Sequence, residues 1–434
     1  MAAIPRSNFG FSRYQWLVLV AAWLGWGFDV FDALLFNFVA PNAVPTLLGL
    51  PLGSPEAREA TVFWTGALSS LLLIGWAAGG LLFGWVADRF GRKRALMLTI
   101  ILYALGTASC AFVTDISQLV VARALASLGI GGEWAVGATL VAEVMPENRR
   151  IEAGALLQTA SPLGLVLASL VNYQIAGVWF ADDPARSWRY VFLCGLVPVL
   201  LALGVRVFLK ESVSWQRAAG TTRPPSPREL FEPGLRRATL AAFFVSVAGL
   251  LSWWGCNAFI PLLGSWLAAE HAPHAVEAWK SLGSNAFNLG GLAGTLVAIP
   301  LARRFGRRAM YIVYFAYSAL AVAAVFGLDF APQTRLRALF FVGLGVYGVF
   351  STYVFYLPEL FPMRLRATGA GLCFNAGRVI AAAGPLIVGS VSASAGGSSA
   401  ALMAVLVWVA AIPLAAAVLT PFIVVETRDR ALPV

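Results

Sequence analysis

Runs of about twenty apolar residues, separated by short polar loops, recur from residue 16 to residue 424 and leave few folds open. A run of that length fits a helix crossing a hydrocarbon core of about 30 Å. The runs lack the two-residue alternation of a membrane barrel strand, so they predict helices. Lipid offers no partner to a bare peptide group, which confines the backbone to helices or closed barrels. Composition agrees: 59% of the residues are hydrophobic and only 12% charged, at a mean hydropathy of +0.78. A soluble domain carries about 25% charge, so a water-facing surface of ordinary size cannot be built from this chain.

The spacing predicts twelve spans, over 16–45, 61–86, 95–114, 117–143, 151–178, 188–208, 237–268, 280–302, 308–328, 333–357, 367–393 and 399–424. The longest polar break runs from Lys210 to Arg237 and holds Pro224, Pro225, Pro227 and Pro233. It divides the chain into an N-terminal six-helix bundle (1–208), a cytoplasmic linker (209–236) and a C-terminal six-helix bundle (237–434). The expected fold class is an all-α membrane protein with twelve transmembrane helices in two pseudo-symmetric bundles. Residues 1–15 are polar, and the first apolar run is too long for a cleavable signal peptide.

The formal net charge of +10 would suggest nucleic acid in a soluble protein, but its distribution points to the lipid bilayer. About 22 of the 31 Lys and Arg fall in the even-numbered loops and the tails, and about six in the odd-numbered loops. The positive-inside rule then places both termini in the cytoplasm, in a multi-pass protein of the cell (inner) membrane. Cys110, Cys194, Cys256 and Cys373 all fall inside predicted spans without metal-ligand spacing, and read as packed apolar thiols.

The two halves echo one another. Arg89-Phe90-Gly91-Arg92-Lys93 returns about 215 residues later as Arg304-Phe305-Gly306-Arg307-Arg308. At nearly the same offset, Glu143-x-x-Pro146-x-x-x-Arg150 returns as Glu359-x-x-Pro362-x-x-x-Arg366, and Arg123-x5-Gly129-x-Gly131 as Arg337-x5-Gly343-x-Gly345. The chain reads as a duplicated membrane unit.

Gly84-x3-Asp88-Arg89-x-Gly91-Arg92-Lys93, between the second and third spans, resembles the defining loop motif of the major facilitator superfamily. With twelve spans and the half-length repeat, the resemblance covers essentially the whole chain. It implies two bundles that rock about a central cavity, with the binding site near the midplane. Spans 1, 4, 7 and 10 would line that cavity, flanked by 2, 5, 8 and 11. Three further motifs resemble the proton symporters of organic anions, in the aromatic-acid, sialate and metabolite branches. They are Gly129-Ile-Gly-Gly-Glu-Trp134, Tyr356-Leu-Pro-Glu-Leu-Phe-Pro362 followed by Arg364 and Arg366, and Asn375-x-Gly377-Arg378. The aromatic-acid branch carries Asp-Gly-x-Asp in its first span; here Asp29-Val30-Phe31-Asp32 keeps the spacing with Val30 in the glycine's place.

An ionisable group deep in hydrocarbon costs at least a few kcal/mol, so each needs a partner, a wet cavity or a function. Four stand out by depth: Asp29, Asp32, Glu133 and Arg378. Asp29 and Asp32 are three apart and share a helix face. Their mutual repulsion and lost hydration favour holding a proton on one of them, as a proton-coupled carrier requires. A structural ion pair with Arg378 or Arg123 is the competing reading. Glu133 is either a second protonation site or a counter-ion to Arg123. Arg378 falls about 16 Å along its span, near mid-depth, and its counterpart in the first half is Leu163. A charge present in one half only, with a planar fork that fits a carboxylate, marks it as the candidate substrate anchor. A permanent salt bridge closing the cavity is the alternative. Asn375 on the same face, Asn257, and Tyr353 with Tyr356 complete the candidate substrate set, against the plainer reading of interhelical hydrogen bonding.

Asp88, Arg89, Arg92, Glu143, Arg150, Glu359 and Arg366 at the inner face, with Arg123 near the outer face, form the candidate gating set. The resemblance implies that Asp88 latches onto the start of span 11, and anions do favour helix N-termini. In the second copy Arg303 stands where Asp88 stands in the first, so the two gates should be unequal. Glu143 is expected to pair with Arg149 or Arg150, and Glu359 with Arg364 or Arg366. Arg123 and Arg337 are expected to snorkel to the outer face in a shared architectural role. His271 and His274, beside Glu270 and Glu277, read as a solvated outer loop.

These residues predict a symporter that imports a small organic anion, a carboxylate, together with protons by alternating access. No cofactor, metal or nucleic-acid partner is expected, and the protein is expected to be monomeric. A proton-coupled drug or metabolite efflux antiporter and a sugar or polyol carrier are the alternatives. The efflux reading would call for a glycine- and proline-rich fifth span, where this chain has only Gly154 and Ser161-Pro162-x-Gly164; the sugar reading leaves Arg378 unexplained. An enzyme would need a nucleophile–base or metal constellation, and the two histidines share one outer loop.

Overall fold

The computed structural model describes residues 11–145, 149–197, 200, 204, 226–362 and 364–428. Within them it leaves aside the side chains at 88, 92, 93, 96, 133–140, 142, 143, 150, 151 and 367. The first four crossings are α1 (Arg13–Leu48), α2 (Pro55–Phe90), α3 (Arg92–Cys110) and α4 (Ile116–Val144). The fifth is α5 (Arg150–Gln158) and α6 (Ala160–Gln174), closed by a π-turn at Ile175–Trp179, and α7 (Pro184–Cys194) begins the sixth. The seventh is α8 (Arg236–Asn257) with α9 (Ile260–His271). One long element, α10 (Val276–Gly327), contains the eighth and ninth on either side of Gly306. The tenth is α11 (Pro332–Ser351) with α12 (Tyr353–Glu359), and the eleventh α13 (Arg366–Ala381) with α14 (Ala383–Ser394). The twelfth is α15 (Ser399–Val409) with α16 (Ala411–Ile423).

Proline explains most of the interruptions. The breaks at Thr159, Ala258–Phe259, Ala382 and Ala410 stand two or three residues before Pro162, Pro261, Pro385 and Pro413. A proline removes one donor from the helical ladder and its ring presses on the carbonyl a turn earlier, so the helix kinks there. At the end of the bundle away from the two Arg-Phe-Gly-Arg turns, short connections end on capped helices. Ser54 accepts from Ala57 N before Pro55, Asp115 from Ser117 N and Gln118 N, and Asp183 from Arg186 N before Pro184.

The duplication is structural. Gly91 and Gly306 occupy the same place in the two Arg-Phe-Gly-Arg copies and both have positive φ, 100° and 86°. That region is open to glycine at little cost, so each copy turns the chain in the same way. Within the first half α4 packs on α2 and α3; within the second α10 packs on α11. The halves meet where α2 lies on α13 and α14, and where α6 lies on α10. At the first of these contacts a Cβ on Gly66 would fall 2.4 Å from the Pro385 carbonyl oxygen, so the two backbones touch.

Large apolar side chains face outward all round, including Trp408 (78% exposed) and Phe422 (75%), as lipid rather than water requires. Inside each half the small residues set the spacing. A Cβ on Gly343 of α11 would stand 1.9 Å from the Phe287 carbonyl oxygen of α10. Backbone cannot yield as a side chain can, so Gly343→Ala is expected to destabilise by about 1–3 kcal/mol. Thermal unfolding in detergent reads it as a lower melting temperature; an unchanged value would contradict so close a contact.

Candidate substrate and proton site

Asp29 and Asp32 both lie in the core of α1, at 0% and 1% exposure. Thr107 Oγ1 of α3 donates to Asp32 Oδ2 at 2.5 Å. Arg123 of α4 reaches the same turn, donating to the backbone oxygens of Asp32 and Ala33. The first half thus builds a buried acid beside a cation, joining α1, α3 and α4. Arg123 is itself 2% exposed and does not snorkel, contrary to the expectation. Its counterpart Arg337 is exposed, and the neighbouring Arg335 instead holds the Val325 and Leu328 carbonyls. Arg123 is seven residues past the start of α4, two full turns inward and facing α1; Arg337 is only five past the start of α11. Sequence equivalence here does not carry equivalent surroundings: Arg123 sits beside the acid, and Arg337 does not.

Arg378 is 2% exposed on α13. Its Nη1 donates to Asn375 Oδ1 at 3.1 Å, one turn away on the same helix. The guanidinium lies over two rings, 4.4 Å from Trp76 of α2 and 4.3 Å from Phe374. Stacking of this kind compensates part of a desolvated cation's lost hydration. The rings continue across both bundles. Trp26 and Trp254 flank Trp76, Trp253 stacks on Phe350, and Tyr353 sits edge-on to Phe374. An aromatic box spanning the two halves therefore encloses Arg378, an arginine that breaks the repeat. Sequence reasoning found Arg378 and Asn375 but missed Trp76 and the box, because no period in the sequence relates α2 to α13.

Asn257 lies elsewhere, at the end of α8. With Asn37, Ser284, Asn288, Leu34, Phe38, Leu165 and Pro261 it lines a gap of about 10 Å³ between the halves, room for about one water. Tyr347 Oη donates to Asn288 Oδ1 at 3.1 Å, and Ser69 Oγ to Asn37 Oδ1 at 3.4 Å. Among the described residues, Asn37 Nδ2 and Ser284 Oγ have no hydrogen-bond partner, although both are buried. Unused polar atoms at a closed midplane gap are available to a ligand once the gap widens. Trp254, one turn before Asn257, connects the gap to Trp76 and so to Arg378. On the side of the gap away from the two Arg-Phe-Gly-Arg turns opens a vestibule of about 630 Å³ bounded by Asn42, Arg58, Tyr173, His274 and Glu277 among others.

The tyrosines part company. Tyr353 Oη donates to the Val245 carbonyl at 2.8 Å, leaving its ring to the aromatic box. Tyr356 is not brought to this site. Its hydroxyl donates to Val425 O at 2.9 Å and accepts from Val425 N at 3.2 Å, at the inner end beyond α16. Three residues along α12 carry it one turn further toward the Glu359 end of the helix, where it packs on Tyr311.

The candidate gating set is also wired differently from expectation. Glu359 pairs with Arg307, through Nη2 at 2.6 Å and Nε at 3.0 Å, and accepts from Thr427 Oγ1 at 2.6 Å. Arg364 pairs with Glu229 instead. The positive φ at Gly306 turns Arg307 back onto the end of α12, ahead of the arginines nearer in sequence. Glu426 caps the same turn, accepting from Arg307 N at 2.9 Å and Arg308 N at 3.0 Å. Burial raises the Glu426 pKa, but these backbone donors, the Arg428 N–H and the Arg307 charge outweigh it and hold the carboxyl below its usual range. Its contribution is present at neutral pH and is lost as pH falls through that depressed value. Arg303, which replaces Asp88 in the second copy, crosses to Glu152 of α5 and ties the halves together. Arg89 is exposed and lies over Trp85 and Phe90 of its own helix. Arg366 opens α13. The side chains of Asp88, Arg92, Glu133, Glu143 and Arg150 lie outside the described residues.

Residues 16–385 match the family described as Major Facilitator Superfamily. A probable 4-methylmuconolactone transporter of Cupriavidus pinatubonensis is 34% identical, over 87% of this chain and 83% of the relative. A cis,cis-muconate transport protein of Acinetobacter baylyi is 30% identical, over 82% of this chain and 86% of the relative. The crystal structure of a D-xylose–proton symporter superposes with a TM-score of 0.76 at 18% identity, covering 96% of this chain and 100% of that one, a likeness of fold.

Proposed function

The chain belongs to the major facilitator superfamily, and is thus a multi-pass transporter rather than an enzyme; on that premise we propose that it imports a small organic acid together with protons. In this reading the N-terminal bundle (1–208) supplies the proton site and the C-terminal bundle (237–434) the anion anchor. Both termini and the linker (209–236) lie in the cytoplasm, beneath the cell (inner) membrane. The observation that carries the reading is Arg378, buried in an aromatic box at the contact between the halves. A cation among flat rings suits a planar carboxylate, aromatic or conjugated, whose charge meets the guanidinium while its π-face meets Trp76 or Trp254. Relatives named for muconate and a muconolactone support that class. A sugar would have no use for the charge.

Coupling follows from neutralisation. A bound carboxylate offsets Arg378, and a proton on Asp32 or Asp29 offsets the acid, so the loaded site carries less charge across the membrane. Each ligand moves the inward–outward balance only through its preference for one state, so both must favour the closing form.

A thermal-shift panel of cis,cis-muconate, benzoate, nicotinate and a sialate, with xylose as the neutral comparison, tests the substrate class in detergent at mildly acidic and mildly alkaline pH. A planar acid is expected to raise the melting temperature, more so at acidic pH, because a ligand bound only by the folded state stabilises it. Stabilisation by xylose alone would replace this reading with the sugar carrier.

A further inference from the structure

The eighth crossing contains an ion pair that the site described above does not use. Lys280 is fully buried, and its ammonium donates to the Phe38 carbonyl of α1 at 2.9 Å. It pairs with Glu277, one turn earlier on α10, at 2.6 Å. The Glu277 carboxylate accepts from Asn172 Nδ2 of α6 at 2.7 Å and from Asn42 Nδ2 of α1 at a long 3.5 Å. Two charges on one turn of the second half therefore hold two helices of the first. The sequence places Glu277 in a solvated loop and the start of the span at Lys280; α10 starts at Val276 instead, and Trp279 and Lys280 at its beginning are buried.

Position gives the pair its meaning. Glu277 and Asn42 line the outer vestibule, while Phe38, whose carbonyl Lys280 holds, lines the midplane gap. The pair stands between the two openings. We propose that Glu277 and Lys280 form the outer gate of the transport path, closed by their bonds to Phe38, Asn172 and Asn42. When the halves part, both charges move with α10 and remain paired, so neither is stranded in the membrane in either state. What breaks is the set of charge-assisted hydrogen bonds to the first half, and vestibule water replaces them. An ion pair on the same side, Arg58 to Glu270 at 3.6 Å, is about a third exposed on both sides and contributes little by comparison.

The gate rests on alternating access alone, not on proton coupling or on the substrate class, and its test needs no substrate. Ser284→Cys places a thiol in the gap below the pair, in a background whose four native cysteines are replaced. A membrane-impermeant maleimide is applied from the outside. Asn172→Ala with Asn42→Ala, which leaves both charges in place, is expected to speed labelling roughly tenfold, the ratio given by about 1.4 kcal/mol of lost closed-state stabilisation. Glu270→Gln is expected to label at the parent rate. Asn172→Asp, which sets a carboxylate against Glu277, provides a second variant and is also expected to label faster. Parent-rate labelling in the Asn172 variants, or an equal increase with Glu270→Gln, overturns the gate.

Discussion

Arg378→Ala is expected to reduce uptake of the stabilising acid into proteoliposomes by about two orders of magnitude or more. Removing one member of a buried, hydrogen-bonded charge pair costs about 2–5 kcal/mol, most of it left as an unpaired charge on the partner. Here the stranded partner would be the substrate's own carboxylate, enclosed by Trp76, Phe374 and Trp254 with little water. Arg378→Lys separates charge from geometry. It keeps a cation but loses the planar fork and the stacking on two rings, so partial uptake with a raised KM is expected. Because the guanidinium also fills the box, folding is checked by melting temperature for both variants. Uptake at the parent level by a folded Arg378→Ala protein would remove the anchor.

Asp32→Asn and Asp29→Asn are expected to separate exchange from accumulation. An amide mimics the protonated acid in shape and hydrogen bonding, so the loaded carrier still closes and labelled substrate still exchanges across the membrane. A pH gradient should no longer drive accumulation beyond equilibration, since the variant has no proton to release at this site. Asp32 is expected to show the larger loss, because Thr107 and Arg123 fix its position at the junction of α1, α3 and α4. Undiminished pH-driven accumulation in both variants would take the proton away from α1.

Much of this was legible from the chain because lipid simplifies the problem. Length and polarity define a crossing, and the half-length echo marks the duplicated unit. Most of the kinks also carry a sequence signal, a proline two or three residues beyond the break, which the twelve-span reading did not use. The symmetry-breaking positions were the best guides to chemistry: Arg378 against Leu163 led to the box, and Arg303 against Asp88 to the tie with Glu152. What failed depended on contacts between segments far apart in sequence. Lys280 and Glu277 sat at the edge of an apolar run, where a charge ordinarily means the end of a span, and only the approach of α1 and α6 makes them internal. Glu359 found Arg307 rather than Arg364 because a glycine turn overrode proximity in sequence. Tyr356 and Tyr353 look alike on a helical face, yet one turn of depth takes Tyr356 to Val425 and leaves Tyr353 at the box.

The central claim is that acid and proton enter together. Adding the stabilising acid to energised cells or inside-acidified vesicles confounds binding with leak, so the direct measurement is made with proteoliposomes in a weakly buffered medium without an imposed gradient. External pH and labelled uptake are recorded at the same time. Inward symport predicts that the medium becomes more alkaline as the acid enters, in fixed proportion to it, and that Asp32→Asn abolishes the pH change. Uptake with no change in external pH, or with acidification, would contradict the account.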